Sequence, residues 1–219
     1  MGGQADLTLD ELRLALAPVV ADTAAFDGWG AAGIESAARA EGVDPHVAAL
    51  AFPHGAMDAI AAWIETVDLA MAQAHSIESL SKLPVRERIR TLVRFRLEAI
   101  SGHEEALRRA LSIMTLPQNA ARSLRMGWHS ADAMWRLAGD KATDFNHYTK
   151  RTILAAVYAS TLAVFAGDVS EGKAETLAFL DRRLEGVMRF EKAKTRVLRP
   201  ADERFSMARF LGRLRYPAS

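Results

Sequence analysis

The sequence predicts an all-α protein of about ten helices. Apolar residues recur at spacings of three and four along most of its 219 residues, and Gly and Pro punctuate the chain between the periodic stretches. No alternating apolar run flanked by hairpin turn residues competes with that reading. Half the residues are hydrophobic, enough for a large core or for a lined cavity.

The elements follow in order. Thr8 and Glu11 have the spacing of a capping box, and Leu12, Leu16, Val19 and Val20 then share one helical face. Gly28 and Gly30 break that helix. A short helix follows from about Ala31 to Ala40 and ends at Gly42. Asp44 as N-cap with Pro45 in the first turn opens another. Pro53 is expected to start a longer helix to about Ala74, and Ser76 to Leu83 reads as a loop. Pro84 begins a helix with Ile89, Leu92, Val93 and Leu97 on one side, broken at Ser101 and Gly102. Further helices run to about Met114 and, after a turn at Leu116 to Asn119, to about Leu137. Gly139 and Asp140 stop that one. The most apolar helix spans about Asn146 to Ala166, closed by Gly167 and Asp168, and Glu171 to about Arg196 forms the next. The expected organisation is an N-terminal bundle (residues 1–75), a larger helical domain (76–199) and a short basic tail (200–219).

Composition excludes several chemistries. The chain has no cysteine, so disulfides, thiolate metal sites and thiol nucleophiles are absent. Its net charge is +1, which gives no global signal for nucleic acid. The six histidines form no Glu-x-x-His pair and no His-Glu-x-x-His motif, and no phosphate-cradling or dinucleotide-binding glycine pattern occurs. The expectation is a protein without catalytic residues, metal or cofactor. No run of about 18 uncharged apolar residues is present to span a bilayer. The N-terminus lacks the pattern of a signal peptide, so the expected location is cytoplasmic.

Ile34, Ala37, Ala38, Gly42 and Val43, followed by Phe52 and Pro53, resemble the helix-turn-helix of tetracycline-repressor-type regulators. A DNA reader needs cationic and polar side chains on its second helix to reach phosphates and base edges. Here that helix reads Pro45-His46-Val47-Ala48-Ala49-Leu50-Ala51, without Lys or Arg. The expected scaffold is therefore a degenerate helix-turn-helix that binds no nucleic acid, with a ligand-responsive repressor as the alternative.

The most specific stretch is Met134-Trp135-Arg136-Leu137-Ala138-Gly139-Asp140, then Thr143-Asp144-Phe145-Asn146-His147-Tyr148-Thr149-Lys150-Arg151. It resembles the signature region of the lipid-binding accessory family of ubiquinone (coenzyme Q) biosynthesis, number nine of the coenzyme Q set. Ser112-Ile113-Met114 with Leu116-Pro117 and Asn119 adds to the likeness. The resemblance implies a tetracycline-repressor-like bundle, a homodimer, and a peripheral association with the inner (cytoplasmic) membrane. It also implies an apolar pocket for lipids or isoprenoid quinone intermediates, presented to the di-iron demethoxyubiquinone hydroxylase. On it, Asp144, Asn146, His147, Tyr148 and Arg151 are candidates for contact with that partner. The family often has Trp where this chain has His147. Read from residue types alone, Asp144 and Asn146 serve equally as helix caps, and Arg151 equally as the partner of an internal carboxylate.

Candidate lipid-facing residues are Ile113, Met114, Met134, Trp135, Leu154, Val157, Tyr158, Leu162 and Phe165. Periodicity fits either a solid core or a tunnel wall; the resemblance favours the wall. A helix apolar all round, as this one is near Ile153 to Phe165, is expected to be enclosed by others. In the tail, Met207, Phe210, Leu211 and Leu214 form a helical stripe flanked by Arg204, Arg209, Arg213 and Arg215. From Arg182 to Tyr216 there are eleven Lys or Arg against four Asp or Glu. A basic amphipathic helix suits an anionic membrane surface, or docking on a protein.

Overall fold

The structure, a computed structural model, describes residues 7–141 and 145–197, with the side chains of 145, 146 and 190–197 excepted. The described residues contain ten α-helices and no strand. They are α1 (Leu9–Thr23), α2 (Ala31–Ala40), α3 (Pro45–Ala51), α4 (Ala56–Ala74), α5 (Ile77–Ser81), α6 (Val85–Ala99), α7 (Glu104–Met114), α8 (Ala120–Leu137), α9 (Phe145–Gly167) and α10 (Ala174–Val197). The chain divides into two compact units, Met1–Asp181 and Arg182–Ser219. The functional site lies wholly in the first. Asp144 and the whole tail stripe, Met207, Arg209, Phe210, Leu211, Arg213 and Leu214, fall outside the described residues.

Local signals set most of the boundaries. Thr8 accepts from the Glu11 amide, and Glu11 reaches back to the Thr8 amide at 2.9 Å, completing the capping box of α1. Asp44 caps α3 through the His46 amide at 2.8 Å. Two expectations need correction. α4 begins at Ala56, not Pro53, because the chain turns at Gly55 with φ +57°. There the Asp58 carboxylate takes the His54 amide at 2.6 Å and also pairs with Arg122 of α8. Burial raises the Asp58 pKa, but Arg122 and the His54 amide outweigh it and hold the carboxyl below its usual range. The stretch after Ser76 is not a loop but the one-turn helix α5. Ser76 and Ser79 exchange reciprocal hydrogen bonds there, a capping box built from two serines.

The helix-turn-helix unit α2–α3 packs against α1, and α1 lies along α4. α4 is shared, since it also meets α6, α7 and α8. Trp29, 1% exposed, ties this layer to the rest: its indole N–H donates to the Ala106 carbonyl of α7 at 2.9 Å. Its ring lies 5.1 Å from that of Trp63 on α4. α9 buries Leu154, Val157, Tyr158 and Phe165. Against expectation, it is not enclosed on every side, because Thr152, Ala156 and Ala163 are exposed. The all-round apolar character there comes from small residues that tolerate water.

Trp29→Phe keeps most of the ring contact but removes the indole N–H that the Ala106 carbonyl accepts in addition to its helical bond. Urea titration of this variant should show a stability loss of about 0.5–1.5 kcal/mol at unchanged helicity.

Candidate functional site

Five helices, α4, α6, α7, α8 and α9, enclose an apolar cavity of about 400 Å³. That size falls in the ordinary range for small-molecule pockets, about 300–1,000 Å³. α4 contributes Ile60, Trp63, Ile64 and Val67, and α6 contributes Arg96. Leu107, Ala110, Leu111 and Met114 come from α7. Ser123, Leu124, Met126, Gly127 and Ser130 come from α8, and Ala155, Tyr158, Ala159 and Leu162 from α9. The cavity grades from wet to dry. Leu124 is 76% exposed, whereas Arg96 and Ser130 are 1% and 2% exposed.

Of the residues that sequence reasoning placed on a lipid, Met114, Tyr158 and Leu162 line this cavity. Met134, Leu154, Val157 and Phe165 are buried in the packed interior and do not line it. Ile113 and Trp135 are half-buried and also lie off it. The walls from α4 and α6 were not anticipated. Their residues lie far away in sequence and belong to stripes with the pattern of an ordinary core. Gly127 was missed for the opposite reason, having no side chain to register in an apolar pattern. A Cβ built on it meets nothing within 4 Å, so the helix leaves open space there. Glycine in a helix interior costs about 1 kcal/mol relative to alanine.

α8 and α9 form two of the longer walls, and a buried charge network holds their junction. Arg151, 2% exposed, donates from Nε to Asp132 at 2.5 Å and from Nη1 to Asp140 at 3.1 Å. Its Nη1 also reaches the His147 carbonyl at 3.1 Å. Lys150 donates to Asp140 at 2.7 Å, and the Trp135 indole donates to the Lys150 carbonyl at 3.1 Å. Asp140 can stand here because Gly139, at φ +83°, turns the chain back at the end of α8. The Asp140 amide bonds to the Trp135 carbonyl at 2.9 Å in that turn. Burial raises the Asp140 pKa, but Lys150 and Arg151 outweigh it, so the carboxyl sits below its usual range. Arg151 therefore has internal acidic partners, one of the two roles the sequence left open. Trp135 and Asp140 belong to the same clamp.

A different group faces outward. Tyr148 is 61% exposed, and its ring lies 5.9 Å from Trp128 and 5.2 Å from His147. His147 lies 6.4 Å from Trp128, so three aromatic rings from α8 and α9 form one surface cluster. The side chain of Asn146 lies outside the described set. Among the described residues, no three His, Asp or Glu side chains gather as a metal site. No single described helix is long and apolar enough to cross a membrane, though the bent pair α3 and α4 passes by length and composition.

Residues 120–191, which span α8, α9 and most of α10, match the COQ9 family. The chain is 42% identical over 100 residues to the mitochondrial ubiquinone biosynthesis protein COQ9 of Rattus norvegicus, covering 46% of this chain and 32% of that protein. To the Homo sapiens protein it is 41% identical over the same length, covering 46% and 31%. COQ9-B of Xenopus laevis aligns over 168 residues at 28% identity, covering 74% of this chain and 57% of the relative. The chain thus spans about a third of the length of the mammalian relatives. A TetR transcriptional regulator from Nitrosomonas europaea superposes with a TM-score of 0.64 at 21% identity, covering 80% of this chain and 97% of that one. The fold is tetracycline-repressor-like. The COQ9 match includes the α8 and α9 walls of the cavity, the clamp and the aromatic cluster; the α4, α6 and α7 walls precede it.

Arg151→Met removes the cation that Asp132 and Asp140 share and leaves each half-buried carboxylate with one other basic partner, Arg136 and Lys150. Denaturant titration should show a loss of roughly 1.5–3 kcal/mol, the scale of hydrogen bonds to charged groups. Because the folded pKa of Asp140 is depressed, its contribution is complete above the ordinary carboxylate value of about 3.9 and fades as pH falls through the folded value. Asp140→Asn should accordingly be less stable near neutrality and lose stability less steeply on acidification.

Proposed function

We propose that this chain is a lipid-binding accessory protein of ubiquinone biosynthesis. It takes an isoprenoid quinone intermediate into the α4–α9 cavity and offers it to the di-iron hydroxylase that modifies it. The chemistry takes place in the partner, and this chain contributes binding and delivery. One observation carries the reading: an apolar cavity two of whose five walls, α8 and α9, lie in the COQ9 match, with open space kept at Gly127. The names of the relatives place them in ubiquinone biosynthesis. The fold is that of a repressor, but α3 presents no Lys or Arg for phosphates.

The exposed cluster of Trp128, His147 and Tyr148 is the surface that meets the hydroxylase in this reading. It is aromatic and partly exposed, the character of interface anchors. It also begins α9, so a partner docked there touches the helix that lines the cavity.

Gly127→Phe places a ring in the cavity with no steric obstacle to its Cβ. Native mass spectrometry and solvent extraction should find a prenyl lipid on the wild-type protein, and roughly fivefold less or lower on the variant, because the ring takes up pocket volume. The helix should be at least as stable as before. Wild-type protein that carries no lipid and takes none from prenylquinone-loaded vesicles overturns the reading.

The double substitution His147→Ala and Tyr148→Ala should weaken binding to the hydroxylase by about tenfold or more, the scale of a hot-spot loss. Circular dichroism and lipid content should not change. Equal affinity in a direct binding assay removes the cluster from the interface.

A further inference from the structure

Arg96 is a cation at the dry end of an otherwise apolar cavity. Its guanidinium is held from α4, α8 and α9. Nη1 pairs with Asp68 of α4, and Nη2 donates to Ser130 Oγ of α8 at 3.1 Å. Ser130 in turn donates to Asp68 at 3.1 Å, so its own proton is committed. The guanidinium carbon lies 4.8 Å from the centre of the Tyr158 ring of α9. Burial lowers the Arg96 pKa, but Tyr158 and Asp68 outweigh it and keep the cation charged.

Nε is left over. It is buried and has no hydrogen-bond partner. Three other described side-chain nitrogens share that condition, His75 Nε2, Arg86 Nε and His103 Nδ1, but among the four only Arg96 belongs to the cavity wall. A buried donor on a cation without an acceptor is costly, and folded proteins seldom leave one unmet. Arg96 itself borders the cavity, so a bound molecule is the candidate for the missing acceptor.

We propose that Arg96 Nε anchors the polar head of the bound molecule. The head enters first, and the apolar tail runs back past Leu111 and Met114 toward Leu124. The accepting atom is a neutral oxygen, a carbonyl or hydroxyl on a flat ring. Two observations set that chemistry. Asp68 already neutralises Arg96, so a carboxylate head brings a second negative charge beside Asp68 in a site shielded from water. Trp63 and Tyr158 place aromatic side chains in the same wall, company suited to a ring more than to a branched headgroup. The direction of entry follows from exposure, since the polar wall is buried and the rim at Leu124 is apolar and wet. This inference rests on the lipid-binding reading and adds orientation and head chemistry to it.

The test uses the full chain, stripped of lipid, and three probes with one tail length: decylbenzoquinone, decylbenzene and decanoate. Calorimetric titration should show the quinone binding about tenfold or more tighter than either of the others, the scale of a charge-assisted hydrogen bond. Arg96→Lys keeps a cation for Asp68 but removes Nε–H. It should weaken the quinone by about tenfold and leave decylbenzene unchanged. Infrared spectra of the bound quinone should show one carbonyl band moved to lower frequency in wild type and restored in Arg96→Lys. Should that variant fail to fold, the wild-type spectrum and the probe ranking decide alone. Equal affinity for quinone and decylbenzene, or an unshifted carbonyl band, overturns the anchor while leaving a lipid cavity. Decanoate binding more tightly than quinone overturns the neutral head. No binding of any probe overturns the lipid-binding reading as well.

Discussion

The buried guanidinium of Arg151 is the constraint on which the rest of the site depends. A cation taken out of water must be met by carboxylates in good geometry, or it costs several kcal/mol. Asp132 and Asp140 meet it from within α8 and from the turn after α8, while Arg151 itself belongs to α9. That requirement fixes how two long helices cross. Hydrophobic packing alone tolerates sliding and rotation; a two-carboxylate clamp does not. The cavity between these helices and α4, α6 and α7 inherits its width from that crossing. The Asp68–Arg96–Ser130 group repeats the device deeper in the bundle, linking α4, α6 and α8.

Most of the signature stretch therefore acts on the fold. Trp135, Asp140, Lys150 and Arg151 hold the α8–α9 corner together, and Gly139 permits the turn on which Asp140 stands. What they present outward is small: Tyr148, with His147 and Trp128 behind it. Clamp and cluster share the start of α9, so a fault in the clamp is expected to disturb the cluster. Only variants that leave Asp132, Asp140 and Arg151 intact can report on the surface itself.

The sequence made the helices legible wherever a cap or a breaker spoke locally. Thr8 with Glu11, Asp44 with Pro45, and Gly42 each gave a boundary that the structure keeps. It failed where a tertiary partner or an unusual cap decided. α5 is capped by Ser76 with Ser79 at the third position, where Glu or Gln is the usual signal, and α4 starts late because Asp58 holds the His54 amide in a turn. The site was legible in part for a related reason. Met114, Tyr158 and Leu162 lie near the recognised stretch, but whether an apolar stripe faces a neighbour or a void depends on residues far away in the chain. Arg96 reads in sequence as one more arginine on a charged helix; only packing shows that it is buried.

Gly127 brings opposing demands to a single position. A larger residue there strengthens α8 and fills the hollow, so resistance to heat and room for a guest pull against each other. Lineages of this protein adapted to hot environments, or laboratory variants selected only for ruggedness, are expected to drift toward alanine or larger at this position. They would become better folded and emptier. The cavity persists only where something besides folding selects for it.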